Sequence, residues 1–415
     1  MYTTLVLLLL NLNNILIGEV DGVISPATSS YFLRTIEVAE KTEAACLIIK
    51  LDTPGGLDAS MRAITKRILN ADVPVIIYVA PKGARAASAG VFILYASHIA
   101  AMAPGTNVGA AHPVNMSGEK IDSVMAEKVT NDAVAYLKAI AKEKNRNAVW
   151  AEKSIRESAS IDAETALDIG VCEVIAEDID DLISIINGRK VRINDKDIIL
   201  TTKTSSVKTV SMTFKERLLL ILTNPTIAYI LLLLGIYGLF FELQNPGMIF
   251  PGVVGGICII LGFYALHLLP VNYTGVALIL LSAILFILEI YIVSHGLLAI
   301  GGIISMVIGS LILFESDVPF LSLSWEVIVL AVIIIAVFFI IIISMGVHAQ
   351  FKKKVTGKEG IVGEIGEAKT DITVSGGTVF VHGEFWNAVS DETVKKGSRV
   401  KIVASENMVV KVEQV

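Results

Sequence analysis

Residues 226–347 are almost continuously apolar, and this tract constrains the fold of the 415-residue chain more than any other feature. Val327–Ile343 alone is seventeen apolar residues without a break. Polar and Pro/Gly breaks divide the tract into Thr226–Phe241, Gly252–Leu269, Val276–Val293, Leu297–Phe314 and Val327–Val347. Each run approaches the ~20 residues that carry a helix across ~30 Å of hydrocarbon. Five membrane helices between two soluble blocks are therefore expected. A mean hydropathy of +0.69 with 18% charged residues excludes a disordered chain and an ordinary soluble enzyme.

Five spans would put the soluble blocks on opposite sides of the membrane. Lys352, Lys353 and Lys354 follow the last run, which places the C-terminal block in the cytoplasm. The acidic loop Glu315–Glu326 and the N-terminal block then lie outside. Lys203, Lys208, Lys215 and Arg217 oppose this orientation, but long domains translocate largely regardless of charge. An exported block needs a leader. Within residues 1–12 the apolar run Leu5–Leu10 is only six residues long, and no basic residue occurs before Arg34, so this is a weak signal or leader segment.

A net charge of -6 offers no basic excess for nucleic acid. Cys46, Cys172 and Cys258 are scattered at no metal spacing and form no disulfide framework. No cofactor or metal is expected.

Residues 13–202 alternate short β-rich runs with helical patterns, which predicts a parallel α/β sheet. Ile15–Val20, Ala45–Leu51, Val73–Ala80 and Ile99–Ala103 read as strands. Ser30–Lys41 and Ser88–Ser97 read as helices, and Met61, Ile64, Ile68 and Leu69 stripe another, with Asp58 as its expected N-cap. Two glycine-bearing turns follow strands: Pro54-Gly55-Gly56 and Ala86-Ala87-Ser88-Ala89-Gly90. Strand C-terminal ends are where α/β sheets build sites. A serine at a helix N-terminus has the positive dipole end beside it, and the Gly56 and Ala89 amides could face a developing oxyanion. From spacing alone Ser88 reads first as a helix cap and the glycines as turn formers.

The run Leu51-Asp52-Thr53-Pro54-Gly55-Gly56, then Ala87-Ser88-Ala89-Gly90, then Met102 through Pro113 resembles the NfeD-like membrane serine proteases. These are relatives of the signal peptide peptidase A and Clp protease families on the ClpP/crotonase fold. The resemblance continues through Lys128-Val129-Thr130-Asn131, Ser160–Gly170, Thr223-Asn224-Pro225 and Gln244-Asn245-Pro246-Gly247 to Gly383-Glu384-Phe385-Trp386-Asn387-Ala388. It implies a Ser-Lys dyad: Ser88 as nucleophile, Lys128 as base, and the Gly56 and Ala89 amides as oxyanion hole. A lysine base must be desolvated to be neutral near pH 7, and Met125 and Val129 are its apolar neighbours. Without the resemblance, Lys128 is one of several lysines, with Lys120, Lys138 and Lys142, on a solvated helix. His112, 24 residues after Ser88, is the alternative base, as in Clp-type triads. Asp162 and Asp168 read as capping and surface residues.

Short alternating runs after residue 355 predict a small β-barrel with strands Gly360–Ile365, Ile372–Val374, Thr378–His382, Ser398–Val403 and Met408–Val412. The resemblance implies an OB-fold here. Seven Lys and Arg against nine Asp and Glu disfavour phosphate binding, so a protein partner is expected, with Phe385 and Trp386 in the core.

The resulting partition is a leader at 1–12, a protease domain at 13–202, a linker and interfacial helix at 203–222, a membrane domain at 223–348 and an OB-fold domain at 349–415. The resemblance implies a membrane serine endopeptidase that acts on hydrophobic segments of stomatin-like (SPFH/band-7) proteins, works in contact with lipid and is at least a dimer. The rival readings are an inactive scaffold that assembles with stomatin-like proteins and a crotonase-type acyl-CoA enzyme.

Overall fold

The computed structural model describes residues 14–114, 123–194, 196–203, 205–244, 247, 249–269, 271–292, 294, 296–314, 323–351, 360–406 and 408–415. The leader run Leu5–Leu10, the lysine cluster Lys352–Lys354, Asn245-Pro246 and most of the loop Glu315–Glu326 lie outside them.

The N-terminal domain is built on strands β1 (Ile15–Asp21), β2 (Cys46–Asp52), β3 (Val75–Val79), β5 (Ile99–Met102), β8 (Val174–Ile175) and β11 (Val207–Thr209). All pair in parallel, in the order β11-β1-β2-β3-β5-β8. Side chains alternate between faces along a strand. Leu47, Ile49 and Leu51 therefore join one buried cluster and Cys46 and Ile48 the other. Burial on both faces explains why β2 reads as an unbroken apolar run. Burial also pushes the Cys46 and Cys172 thiols up to about 12, so both are inert.

Helix α1 (Pro26–Lys41) buries Phe32, Ile36 and Ala39, and α2 (Asp58–Leu69) buries Met61, Ile64 and Ile68. A second, three-stranded sheet holds β4 (Arg85–Ala87), β6 (Asn107–Gly109) and β7 (Ser160–Asp162) in the order β4-β6-β7. Helix α3 (Ala89–Ala96) is buried along its whole length. Then come α4 (Ser123–Glu143), α5 (Ala148–Arg156), α6 (Ala163–Asp168) and α7 (Ile179–Ile186). Asp162 caps α6, accepting from the Thr165 amide at 2.7 Å, and Asp168 is exposed, as the sequence predicts. A hairpin of β9 (Lys190–Ile193) and β10 (Lys196–Ile199) and helix α8 (Phe214–Leu222) complete the region.

Five apolar helices follow: α9 (Pro225–Gln244), α10 (Ile249–Leu268), α11 (Tyr273–Tyr291), α12 (Leu297–Leu313) and α13 (Trp325–Phe351). Glycine lets the first four pack in pairs, as in other membrane bundles. A Cβ on Gly238 of α9 would lie 2.8 Å from the Gly255 Cα of α10, and one on Gly275 of α11 would lie 2.6 Å from the Leu313 Cα of α12. A buried bond of 2.8 Å between the Tyr229 and Ser310 hydroxyls joins α9 to α12.

The C-terminal unit holds a closed barrel of β12 (Ile365–Ala368), β13 (Gly377–Val381), β14 (Glu384–Val389), β15 (Arg399–Glu406) and β16 (Val409–Gln414), in the order β12-β13-β14-β16-β15. The first strand lies later than the sequence predicts: Gly360–Ile365 forms a turn with Ile361 buried, and pairing begins at Ile365. Ile372–Val374 contributes only isolated bridges. The missed strand is β14, which pairs Glu384 with Val381 across a two-residue turn. His382 and Gly383 in that turn both have positive φ, at 51° and 83°, the backbone such tight hairpins require. Trp386 packs on the core, but Phe385 does not: it is 69% exposed and lies 5.0 Å from the Phe380 ring.

Candidate active site

The site forms where the C-terminal end of β2 meets the N-terminus of α3. After Asp52 the chain turns through Thr53-Pro54-Gly55-Gly56, where the Thr53 hydroxyl accepts from the Gly55 amide at 3.0 Å. Ile24 clamps the turn from outside. Its amide donates to the Gly55 carbonyl and its carbonyl accepts from Leu57, both at 2.8 Å. A Cβ on Gly56 would meet the Ile24 carbonyl oxygen at 2.2 Å, so only glycine fits. Helix α2 starts at Asp58 with Leu57 as its N-cap. Asp58 is therefore not the expected cap; its carboxylate instead accepts from Arg62 Nε at 2.9 Å.

Ser88 sits between β4 and α3. Its amide donates to the Gly109 carbonyl at 3.0 Å, which ties it to β6. Its φ of 52° and ψ of -112° are rare for a residue with a side chain. It is the N-cap of α3, yet its side chain makes no capping bond. The hydroxyl is thus left for other use at the positive end of a buried helix. The amides of Gly56 and Ala89 donate none of the turn and loop hydrogen bonds among the described residues.

Ser88, Gly56, Ala89 and Lys128 line one cleft of about 420 Å³. Met61, Phe92, Pro113, Val114, Val129 and Ala133 make most of its wall apolar. Asp58, Arg62 and Asp132 form a charged end. Lys128 on α4 is exposed. Met125 and Val129, expected to cover it, are themselves 53% and 42% exposed, so this chain leaves Lys128 uncovered. His112 does not line the cleft. Its Nδ1 lies 2.8 Å from the Ile155 carbonyl, which can only accept, so Nδ1 carries the hydrogen.

Sequence reasoning missed Arg62, which pairs with both Asp58 and Asp132 and lies 4.6 Å over the Tyr136 ring. Its four-residue spacing from Asp58 was the only local signal. Among the described residues no cluster of His, Cys, Asp and Glu could hold a metal.

Three family descriptions match the chain in order: the NfeD1b N-terminal domain over residues 16–196, the NfeD integral membrane domain over 226–345, and the NfeD-like C-terminal, partner-binding domain over 358–414. The chain is 36% identical over 409 residues to the membrane-bound protease PH1510 of Pyrococcus horikoshii, covering 95% of this chain and 92% of that protein. It is 28% identical over 430 residues to the membrane protein NfeD1b of Bacillus subtilis, with the same coverage, 95% and 92%. Among solved structures it is similar to the 1510-N membrane protease specific for a stomatin homolog from Pyrococcus horikoshii, at 38% identity over 51% of this chain and 98% of that one, with a TM-score of 0.45. A mutant of the 1510-N membrane-bound stomatin-specific protease in complex with a substrate peptide is 39% identical over 50% of this chain and 95% of that one, with a TM-score of 0.47.

Proposed function

The chain belongs to the NfeD family of membrane proteins, and on that premise we propose that it is a serine endopeptidase acting on apolar segments of stomatin-like proteins. The observation that carries this is the shared cleft, which gathers a serine free of capping duty, a lysine and two amides without turn partners. Ser88 Oγ attacks the scissile carbonyl and Lys128 Nζ takes its proton. The Gly56 and Ala89 amides hold the oxyanion. The protonated lysine then donates to the leaving amine, and water hydrolyses the acyl-enzyme with Lys128 again as base. The apolar wall from Met61 to Ala133 suits a hydrophobic peptide, and the bound peptide supplies the cover that Lys128 lacks.

We read the parallel sheet with its β4-β6-β7 satellite as ClpP/crotonase-like, and the barrel as an OB-fold, its third and fifth strands pairing in parallel. The domains divide at 13–202, 203–222, 223–348 and 349–415. With five spans, the protease domain faces outward and the barrel faces the cytoplasm. Cysteines introduced as Lys196→Cys and Gln414→Cys should then label from opposite sides of oriented vesicles; labelling from one side overturns this topology.

The scaffold reading has one observation in its favour, the exposure of Lys128. Cleavage of an apolar peptide by the purified full chain, lost in a folded Ser88→Ala variant, separates the two. Peptide binding without cleavage by the wild-type chain favours the scaffold.

A further inference from the structure

Helix α8 carries an apolar stripe that this chain leaves uncovered. Phe214 is 83% exposed, Leu218 39% and Ile221 53%. At about 100° per residue these three fall within roughly 60° of one another. Glu216 falls about 200° round from Phe214, on the inner side. It is buried there, and its carboxylate accepts from Arg34 of α1 through Nε at 2.7 Å and Nη2 at 2.9 Å. It also closes a capping box with Thr213. Arg34 Nη2 donates to the Ser211 carbonyl at 2.8 Å, and the Tyr31 hydroxyl donates to the Val210 carbonyl at 2.6 Å. The helix therefore cannot roll, and the clamp on its inner face fixes where the stripe points. The exposed Lys215 and Arg217 flank the stripe on either side.

We infer that α8 lies in the membrane interface, with Phe214, Leu218 and Ile221 at the acyl boundary and Lys215 and Arg217 among anionic headgroups. Lipid is the occupant because the stripe continues the membrane domain. Thr223-Asn224 leads directly from α8 into α9, where Asn224 Oδ1 accepts from the Thr226 amide at 2.9 Å. Helix α8 also packs on both α9 and α10. Flanking cations suit a headgroup layer. Three side chains are far short of the ~800 Å² per partner of a stable protein interface. The Arg34–Glu216 clamp passes this placement to the N-terminal domain and holds the Ser88 cleft at a fixed height above the bilayer. Under the protease reading, that restricts cleavage to segments near the membrane. The lipid contact itself does not depend on that reading.

The test is Phe214→Trp in the full chain, reconstituted into vesicles that contain anionic lipid. Wild type carries three tryptophans, Trp150, Trp325 and Trp386, so the readout is the emission added by the variant. That added emission should be quenched by lipids brominated high on the acyl chain, and less by lipids brominated near its end. Leu218→Trp, on the same face, should behave alike. Added emission that no brominated lipid quenches, whether water-like or protein-shielded, overturns the proposal. Catalytic activity is not read, so failure here is distinct from failure of the protease reading.

Discussion

Arg62 of α2 and Asp132 of α4 form an ion pair across 70 residues of chain, and it joins the two walls of the cleft. Helix α2 begins two residues after Gly56, and Asp132 lies one turn beyond Lys128. The Thr65 and Tyr136 hydroxyls bond at 2.6 Å between the same helices. The Gly56 turn and the proposed base are thereby set in one register. Arg62→Ala should cost less than about 1 kcal/mol of stability, because the pair is partly exposed. It should still lower kcat/KM by roughly tenfold to a hundredfold, because the base loses its position. Urea unfolding and peptide kinetics on one preparation check both; unchanged kinetics would remove Arg62 from the site.

Gly55 is pressed against Ser88, the proposed nucleophile. A Cβ there would lie 2.6 Å from the Ser88 Cβ, and its φ of 117° disfavours any side chain. Gly55→Ala should destabilise by about 1–3 kcal/mol and abolish cleavage. Gly83→Ala is the control, with φ at 89° but nothing within 4 Å. It should lose some stability and keep its activity, which thermal unfolding and an activity assay will show.

Lys128→Ala should remove activity by several orders of magnitude, since an unactivated serine is a weak nucleophile. His112→Ala should cost far less, because the ring is engaged with the Ile155 carbonyl and lies off the cleft wall. A dead His112→Ala beside an active Lys128→Ala, both folded by circular dichroism, would replace the dyad with a histidine base.

The His98 imidazole is pushed down to about 3, first by burial and then by Lys144 and Arg146, while its Nδ1 accepts from the Val75 amide at 3.1 Å. It is neutral in the folded chain and takes a proton on unfolding below about pH 6.5. The unfolded state thus binds more protons, and stability falls as pH drops from 6.5 towards 3, by roughly 5 kcal/mol at the limit. Glu216 adds to this only near its unfolded range around 4.5: burial works against its ionisation, but the bonds from Arg34 and Thr213 prevail and hold it low. His98→Asn keeps an acceptor for Val75 and removes the proton site. Urea midpoints between pH 7 and 5 should fall for wild type and stay nearly flat for the variant; parallel curves would exonerate His98.

Runs with one kind of environment along their length were legible in the sequence. Strand β2 is buried on both faces and α12 is apolar throughout, so both ends of each were placed within a residue or two. Strands β4, β6 and β7 were not read, since each is three residues long and held by pairing with distant partners such as Val108 with Ile161. Ser88 and Gly56 were legible from their turns as cap and turn residues, and as site candidates only through the family resemblance. The uncovered state of Lys128 was not, because a helix's own sequence does not say what packs over it. Phe385 was misjudged for a related reason: its place on the outer face depends on the register of β14, which only the His382-Gly383 turn sets.

The C-terminal barrel is closed, so each of its five strands already has a neighbour on both sides. Little strand edge is therefore left for a partner to extend, only short stretches such as Glu384–Trp386 of β14 beyond its pairing with β16. Recognition by this domain then falls mainly to side chains and loop tips, among them the exposed apolar side chains of Phe385, Val374 and Met408. A partner peptide scrambled in order but kept in composition should therefore lose binding, whereas one that merely extends as a β-strand should gain none.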